Sequence, residues 1–273
     1  MQGHRILVTG ASGFLGGHVV AALQRAGHVV STTARSAGDA AVDLLAPGMV
    51  DAVSEALQPE FVLHLAAMAR LADCERDPAQ AQRTNAWLPG QLAQRFGPRL
   101  LFVSTDLVFD GRGAPYGELS AVGPLSVYGT SKAQGEEQVR AHGGRVVRLP
   151  LLFGPDAKGR GATASLQQAQ LRRETLPLFT NEYRTPLHVA DAAGALAAAV
   201  VETDGPDLVH LPGPERTSRW ELARRFCLMH GFDLSLLRPV ECQDAARPRD
   251  VSLAGSWQAG RSLEAMLADS LTP

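Results

Sequence analysis

The sequence predicts an α/β fold in which a doubly wound parallel sheet is accompanied by a smaller C-terminal lobe. Three observations support this prediction. Short runs rich in Val, Ile and Leu alternate with longer stretches of helical periodicity, these runs are nearly continuously apolar, and the alternation weakens after Pro150. Continuously apolar strands are typical of parallel sheets that are covered on both faces, and strand–helix alternation leads to the same arrangement.

The predicted elements alternate along the first half of the chain. The predicted strands are Arg5–Thr9, Val29–Thr33, Phe61–Leu65, Leu100–Ser104 and Arg145–Leu149. The predicted helices are Phe14–Ala26, Met49–Leu57, Pro78–Arg95 and Ser131–Ala141. Right-handed crossovers connect parallel strands, and such a sheet binds ligands at the carboxyl ends of its strands.

A glycine-rich loop, GASGFLG, joins the first predicted strand to the first predicted helix. Gly10 lets the chain turn off the strand, Gly13 lets backbone N–H groups approach a pyrophosphate, and Gly16 lets the helix pack closely. The helix N-terminus adds positive partial charge. A tight turn alone would also explain three glycines, but their place between a strand and a helix favours a Rossmann-type dinucleotide site. The cofactor contacts predicted in this loop are Gly10, Ser12, Gly13, Phe14, Leu15 and Gly16.

The end of the second predicted strand indicates which dinucleotide binds. An acidic residue there would accept hydrogen bonds from the ribose of NAD, but the sequence has Thr-Ala followed by Arg35. A guanidinium can hold a 2′-phosphate, so the sequence predicts NADP(H). The alternative is a solvated Arg35, with Asp39 or Asp43 at the ribose. Asp43 and Leu44 fit better as a second contact on the adenine side.

A tyrosine and a lysine one helical turn apart form the candidate catalytic pair. Tyr128 and Lys132 share a helix face, and an ammonium there would lower the pKa of the phenol and reach the nicotinamide ribose. The Thr105 hydroxyl, at the end of the fourth predicted strand, could hold a substrate carbonyl. Alone, Tyr128 could simply pack at a lobe boundary, and Ser104-Thr105 could cap a turn. Together with the glycine loop, they predict hydride transfer to a ketone with Tyr128 as the proton donor.

These motifs resemble those of the extended short-chain dehydrogenase/reductases, and within them the dTDP-4-dehydrorhamnose reductase branch. The resemblance covers residues 4 to about 268 and rests on the glycine loop, HLAA at 64–67, Asn85, STDLVFDG at 104–111 and PLSVYGTSK at 124–132. It implies that Thr105, Tyr128 and Lys132 form the catalytic triad, with Ser104 beside it as a cofactor contact.

The resemblance also implies how the rest of the chain is organised. The weaker alternation after Pro150 itself predicts a dinucleotide-binding domain of residues 1–150 with about 182–206 and a smaller lobe of residues 151–181 with 207–273, and the resemblance implies that this lobe binds substrate. Leu65, Ala66 and Ala67 would pass under the cofactor ribose and pyrophosphate, Asn85 would brace the neighbouring strand, and Leu151 would face the nicotinamide. The family further implies a homodimer.

The substrate side departs from the pattern of the branch. Leu107 stands where a tyrosine is expected, and Met68-Ala69-Arg70 replaces a polar-aromatic segment. A nucleotide-sugar substrate carries a diphosphate, which requires cationic partners. The predicted substrate contacts are Thr105, Asp106, Met68, Arg184 and Arg247.

The sequence thus predicts an NADPH-dependent reductase of a keto group on a nucleotide-activated deoxysugar. Two alternatives remain open: an epimerase or dehydratase of nucleotide sugars that retains NAD, and a non-catalytic NADP-binding regulatory subunit. Arg35 and the absence of a Glu next to Asp106 argue against the first. The intact triad does not exclude the second.

The composition indicates which classes of binding partner and which cellular location to expect. With 26 Lys and Arg against 28 Asp and Glu in 273 residues, we expect neither nucleic acid nor a membrane surface as a partner. The three cysteines lack the spacing of metal ligands or redox pairs, so no metal site is expected. With no apolar segment suited to a signal peptide or a span, we expect a soluble, cytoplasmic protein.

Overall fold

The structure, a computed structural model, describes residues 3–34 and 40–271. Within these ranges the strands are β1 (Arg5–Thr9), β2 (Val29–Ala34), β3 (Ala40–Ala41), β4 (Phe61–His64), β5 (Leu100–Thr105), β6 (Arg145–Leu149), β7 (Leu152–Phe153), β8 (Leu176–Phe179), β9 (Tyr183–Arg184), β10 (Leu187–His188), β11 (Leu208–His210), β12 (Thr217–Ser218) and β13 (Leu237–Val240).

Helices cover much of the remaining described chain. The α-helices are α1 (Phe14–Arg25), α2 (Met49–Leu57), α3 (Leu71–Arg76), α4 (Pro78–Gln82), α5 (Leu88–Phe96), α6 (Val127–Ala141), α7 (Ala162–Leu171), α8 (Val189–Ala199), α9 (Arg219–His230) and α10 (Leu263–Ala268). A π-helical turn, Arg83–Trp87, joins α4 to α5, and 3-10 turns lie at Gly97–Arg99, Asp106–Val108 and Leu234–Leu236. None of these described helices is long and apolar enough to cross a membrane.

A seven-stranded sheet has the order β11-β6-β5-β4-β1-β2-β3, which confirms the predicted Rossmann-type α/β class. The pairs β1–β2, β1–β4, β2–β3 and β4–β5 are parallel. The strand order reverses between β1 and β4, so the carboxyl ends of these two strands lie side by side at the switch point where such sheets bind ligands. The glycine loop after β1 and the HLAA segment at the end of β4 therefore meet at one edge.

The core explains why the strand sequences lack polar alternation. Side chains on neighbouring strands, among them Leu7, Val62, Phe102 and Val146, pack with residues of α5 and α6 into one buried apolar cluster. Burial on both faces requires apolar residues at successive positions, and each such side chain contributes about 1.5–3 kcal/mol.

Two predicted helices differ from the structure by more than one residue at a boundary or in their continuity. The predicted helix Pro78–Arg95 is divided into α4, the π-helical turn and α5. Helix α6 begins four residues before the predicted Ser131, because the Ser126 hydroxyl accepts a hydrogen bond from Gly129 N at 3.1 Å and caps the helix. This earlier start places Tyr128 in the first turn of α6.

The chain divides into two compact units. The first comprises residues 1–108, 126–148 and 193–209, and the second comprises 109–125, 149–192 and 210–273. The sequence grouped residues 109–125 with 1–150, whereas here this segment belongs to the second unit. The reason is local: Tyr116 N donates to Ser252 O at 2.8 Å, and Tyr116 forms a parallel bridge with Leu253.

Candidate active site

The glycine loop in the first unit is shaped by close backbone contacts. Gly10 has φ +74°, and a Cβ there would lie 2.6 Å from Ala66 N, so the loop after β1 touches the segment after β4 directly. A Cβ on Gly16 would lie 2.5 Å from Gly10 O, which keeps α1 close to the loop. Gly13 is the N-cap residue and has no side-chain cap, which leaves N–H groups of the first helical turn available to an anion.

A cavity of about 470 Å³ opens beside this loop, within the size range of small-ligand and cofactor sites. The buried Thr33 hydroxyl on its wall has no hydrogen-bond partner among the described residues. The glycine cradle and this hydroxyl fit a dinucleotide. The predicted residues that line the cavity are Gly10, Ser12, Gly13, Asp43, Leu44, Leu65, Ala66, Ala67 and Met68.

The other predicted cofactor residues are distributed more widely. Phe14, Leu15 and Gly16 occupy the first turn of α1. Arg35 lies outside the described residues. Leu151 belongs to the second unit, where it lines a small cavity of about 110 Å³ with residues of α7, β8 and α9.

His64, at the end of β4, is a buried and neutral part of the loop support. Its Nδ1 lies 2.7 Å from the Thr9 hydroxyl, and that hydroxyl also accepts from Ala66 N at 3.3 Å. Burial, together with the nearby Lys132, lowers the pKa of His64 to about 3. His64 therefore orders the ends of β1 and β4 and is not an acid–base group at neutral pH.

Tyr128 and Thr105 are brought together as the sequence predicted. The Thr105 hydroxyl lies close enough to the partly exposed Tyr128 side chain to affect its ionisation. Burial raises the pKa of Tyr128 well above its ordinary value, the charges of Asp106 and Cys74 add to the rise, and the Thr105 hydroxyl opposes it. The expected lowering of this pKa by Lys132 is therefore wrong for the chain alone. The phenol remains protonated, as a proton donor must be.

Lys132 lies one turn further along α6 and is 2% exposed. Its Nζ donates to Val103 O at 2.6 Å and lies 3.8 Å from the centre of the Phe102 ring. Burial lowers the pKa of Lys132 to about 7, against the opposing effect of Glu136. The Lys132 amine, beside the end of β5, can therefore gain or lose its proton near neutral pH.

Ser104 is held by a buried ion pair. Its hydroxyl donates to Glu136 Oε1 at 2.5 Å, and Arg148 Nη2 donates to Glu136 Oε2 at 2.6 Å. The Glu136 and Arg148 side chains are 5% and 4% exposed. The sequence analysis did not assign either residue, although Glu136 follows Lys132 by four positions in the predicted helix Ser131–Ala141 and therefore shares its face.

Asn85, in the π-helical turn, connects the segment after β4 to α6. Its side-chain amide accepts from Met68 N at 2.9 Å and donates to Met68 O and to the Ser131 hydroxyl, both at 3.0 Å. A Cβ on Gly135 would lie 2.2 Å from Asn85 O, so α6 and the π-helical turn touch through their backbones. π-Helical turns are frequent at functional sites, and this one aligns the catalytic helix with the cavity wall.

The predicted substrate residues lie in both units. Asp106 is buried after β5, 3.3 Å from the Thr105 hydroxyl, and Met68 lines the large cavity. In the second unit, Arg247 donates to the fully buried Glu182 at 2.6 Å, and Arg184 lies in β9 beside it.

Three arginines of the second unit act on the Glu182 carboxylate. Burial works to raise the pKa of its carboxyl, but the hydrogen bond from Arg247 and the charges of Arg247, Arg219 and Arg184 lower it overall. Three arginines thus act on one fully buried carboxylate.

The known proteins with similar sequences include a reductase and a transferase subunit. Residues 4–259 match the family described as the RmlD substrate binding domain. The dTDP-4-dehydrorhamnose reductase of Streptomyces griseus is 32% identical over 255 residues, covering 89% of this chain and 82% of that protein. The methionine adenosyltransferase 2 subunit beta of Pongo abelii is 30% identical over 266 residues, covering 91% of this chain and 80% of that protein.

A solved structure has the same fold. The dTDP-4-dehydrorhamnose reductase of Bacillus anthracis, in complex with NADP, superposes with a TM-score of 0.89 at 22% identity, covering 98% of this chain and 99% of that one. This likeness extends over both units.

Proposed function

The chain belongs to the RmlD substrate binding domain family, and on that premise we propose that it is an NADPH-dependent reductase acting on a keto group of a nucleotide-activated deoxysugar. The observation that carries the proposal is that the Tyr128 and Thr105 side chains lie next to each other at the carboxyl end of β5. This pair combines a protonated phenol with a hydroxyl that can orient a carbonyl, in the unit that holds the glycine-loop cavity.

Each residue of the site has a defined part in this reaction. NADPH, when bound, supplies the hydride. Tyr128 donates its proton to the carbonyl oxygen as charge develops there, and Thr105 holds that oxygen in place. Lys132, as an ammonium, stabilises the phenolate that remains on Tyr128. The carbonyl thus gains a hydride on carbon and a proton on oxygen, which gives an alcohol.

The cavity wall supports the choice of NADP(H). Strand β2 ends in Thr33 and Ala34, with no carboxylate to repel a 2′-phosphate, and Arg35 follows in the sequence. The complex of the Bacillus anthracis reductase contains NADP. We therefore assign Arg35 to the 2′-phosphate and the glycine loop to the pyrophosphate.

The reaction can be tested by following NADPH oxidation with dTDP-4-keto-6-deoxyglucose and its 3,5-epimerised product. We expect turnover that falls by about 10²–10⁴-fold in Tyr128→Phe, because the proton donor is lost, with NADPH affinity retained. Tyr183→Phe is the matched control, since the ring of Tyr183 packs under Arg216 and can do so without its hydroxyl. Wild-type turnover in Tyr128→Phe would exclude Tyr128 as the acid.

The same assay tests the cofactor. Arg35→Asp should move the preference from NADPH toward NADH, because a carboxylate repels the 2′-phosphate and accepts the ribose hydroxyls. Arg172→Asp, on the exposed C-terminal end of α7, should leave the preference unchanged. An unchanged preference in Arg35→Asp would instead favour Asp43 as the ribose contact.

The similarity to methionine adenosyltransferase 2 subunit beta supports a second candidate, a regulatory subunit of that enzyme. In this role the chain would co-elute with a methionine adenosyltransferase catalytic subunit and change its kinetics, and Tyr128→Phe would leave that effect intact. Separate elution in the presence of NADPH would dismiss this candidate.

A further inference from the structure

The Glu136–Arg148 pair is a buried charged group to which the proposed reaction gives no part. Its two short contacts lie beneath the carboxyl end of β5, next to Thr105. A buried ion pair has little net stability advantage over apolar residues of similar volume, because desolvation offsets the attraction. Stability alone therefore does not account for placing these charges under the catalytic strand end.

The position of Glu136 relative to Lys132 suggests the reason. The two residues are four apart on α6 and so share a face one turn apart. The direct contacts recorded for the Lys132 amine among the described residues are the Val103 carbonyl and the Phe102 ring, which carry no formal charge, and Glu136 acts on it through space. The carboxylate is thus the anion that stabilises a charged amine in a site that otherwise favours a neutral one.

We propose that Glu136 is a positioning residue of the active site: its carboxylate keeps Lys132 in the ammonium form and fixes the Ser104 hydroxyl, while Arg148 limits the charge that the carboxylate exerts. The inference rests on the proposed function, because it is there that a charged Lys132 serves Tyr128 and the cofactor. It adds a residue that sets the charge of the site without touching substrate.

Two opposing effects set the pKa of Lys132. Burial lowers the pKa of Lys132 to about 7, and Glu136 is the group that raises it. His64 adds no positive charge of its own, since its pKa of about 3 keeps it neutral. The titratable and charged groups on α6 and the elements around it are His64 on β4, Asp106 after β5, Arg145 and Arg148 on β6, Asp73, Cys74, Glu75 and Arg76 on α3, Arg83 on the π-helical turn, Arg95 on α5, and Tyr128, Glu136, Glu137 and Arg140 on α6.

The chain has only two lysines, Lys132 and the exposed Lys158, so the test can be direct. Protein labelled with 13C at lysine Cε is titrated by NMR without cofactor, and Lys158 provides an internal control. Relative to wild type, Glu136→Gln should lower the midpoint of Lys132 by about one unit or more, and Arg148→Met should raise it. The Glu136→Gln/Arg148→Met double variant should lie between wild type and Glu136→Gln, because both charges are then absent.

The opposite signs separate the proposal from a purely structural role. A structural ion pair predicts that Lys132 keeps one midpoint in every folded variant, or that both single variants move it the same way; either result would overturn the proposal. If Glu136→Gln does not fold, Arg148→Met and the double variant decide the question, since they should shift the midpoint in opposite directions. The titration needs no turnover, so it remains informative even if the reductase assay fails.

Discussion

The burial of Lys132 should make the free energy of unfolding depend on pH. Its pKa is about 7 in the folded chain and ordinarily 10.5, so between these values the unfolded chain binds more protons than the folded chain. The stability that depends on this group therefore rises with pH across that window and is lost as pH falls toward 7.

Lys132→Met should remove this dependence. We expect the free energy of unfolding of wild type, relative to Lys132→Met, to rise between pH 7 and 10 by up to about 1.4 kcal/mol per pH unit. Urea melts at several pH values measure it, and Lys158→Met should follow wild type. Parallel pH profiles of wild type and Lys132→Met would show that Lys132 keeps an ordinary pKa.

At the residue scale, the sequence could identify candidate site residues where a short motif marks them. Tyr128 and Lys132 were predicted from their spacing, and the glycines from their place after β1. The direction in which the Tyr128 pKa shifts could not be predicted from the sequence. It depends on burial and on the charges of Asp106 and Cys74, which belong to other segments.

At the scale of elements, the close contact between α6 and the π-helical turn leaves no room for a side chain at Gly135. Gly135→Ala would place a Cβ 2.2 Å from Asn85 O, so we expect a loss of about 1–3 kcal/mol in the free energy of unfolding. Gly17→Ala, in α1, meets no atom within 4 Å and should stabilise by about 0.5–1 kcal/mol. Thermal melts of the two variants provide the comparison, and equal stability would contradict the close contact.

The same region shows the limit of periodicity. Residues 78–95 have one helical pattern, and the sequence predicts one helix, but the structure inserts a π-helical turn at Arg83–Trp87. The Asn85 amide there binds Met68 and Ser131, which are distant in sequence. Such tertiary contacts leave no trace in the local pattern.

At the scale of the whole molecule, the two units were predictable to different degrees. The first is built largely from consecutive strand–helix repeats, which the sequence displays. The second is built from separated segments with two-residue strands such as β7 and β9, too short to show alternation. Its central ion pairs join Glu182 to Arg219 and Arg247, 37 and 65 residues away, and pairings at that distance cannot be predicted without the fold.

All described residues that line the glycine-loop cavity belong to the first unit. The described wall of this cavity is therefore built from residues between Thr9 and Leu88 alone, and mutations in the second unit can accumulate without replacing any of them. A lineage could therefore diverge in the second unit and still inherit this cavity unchanged.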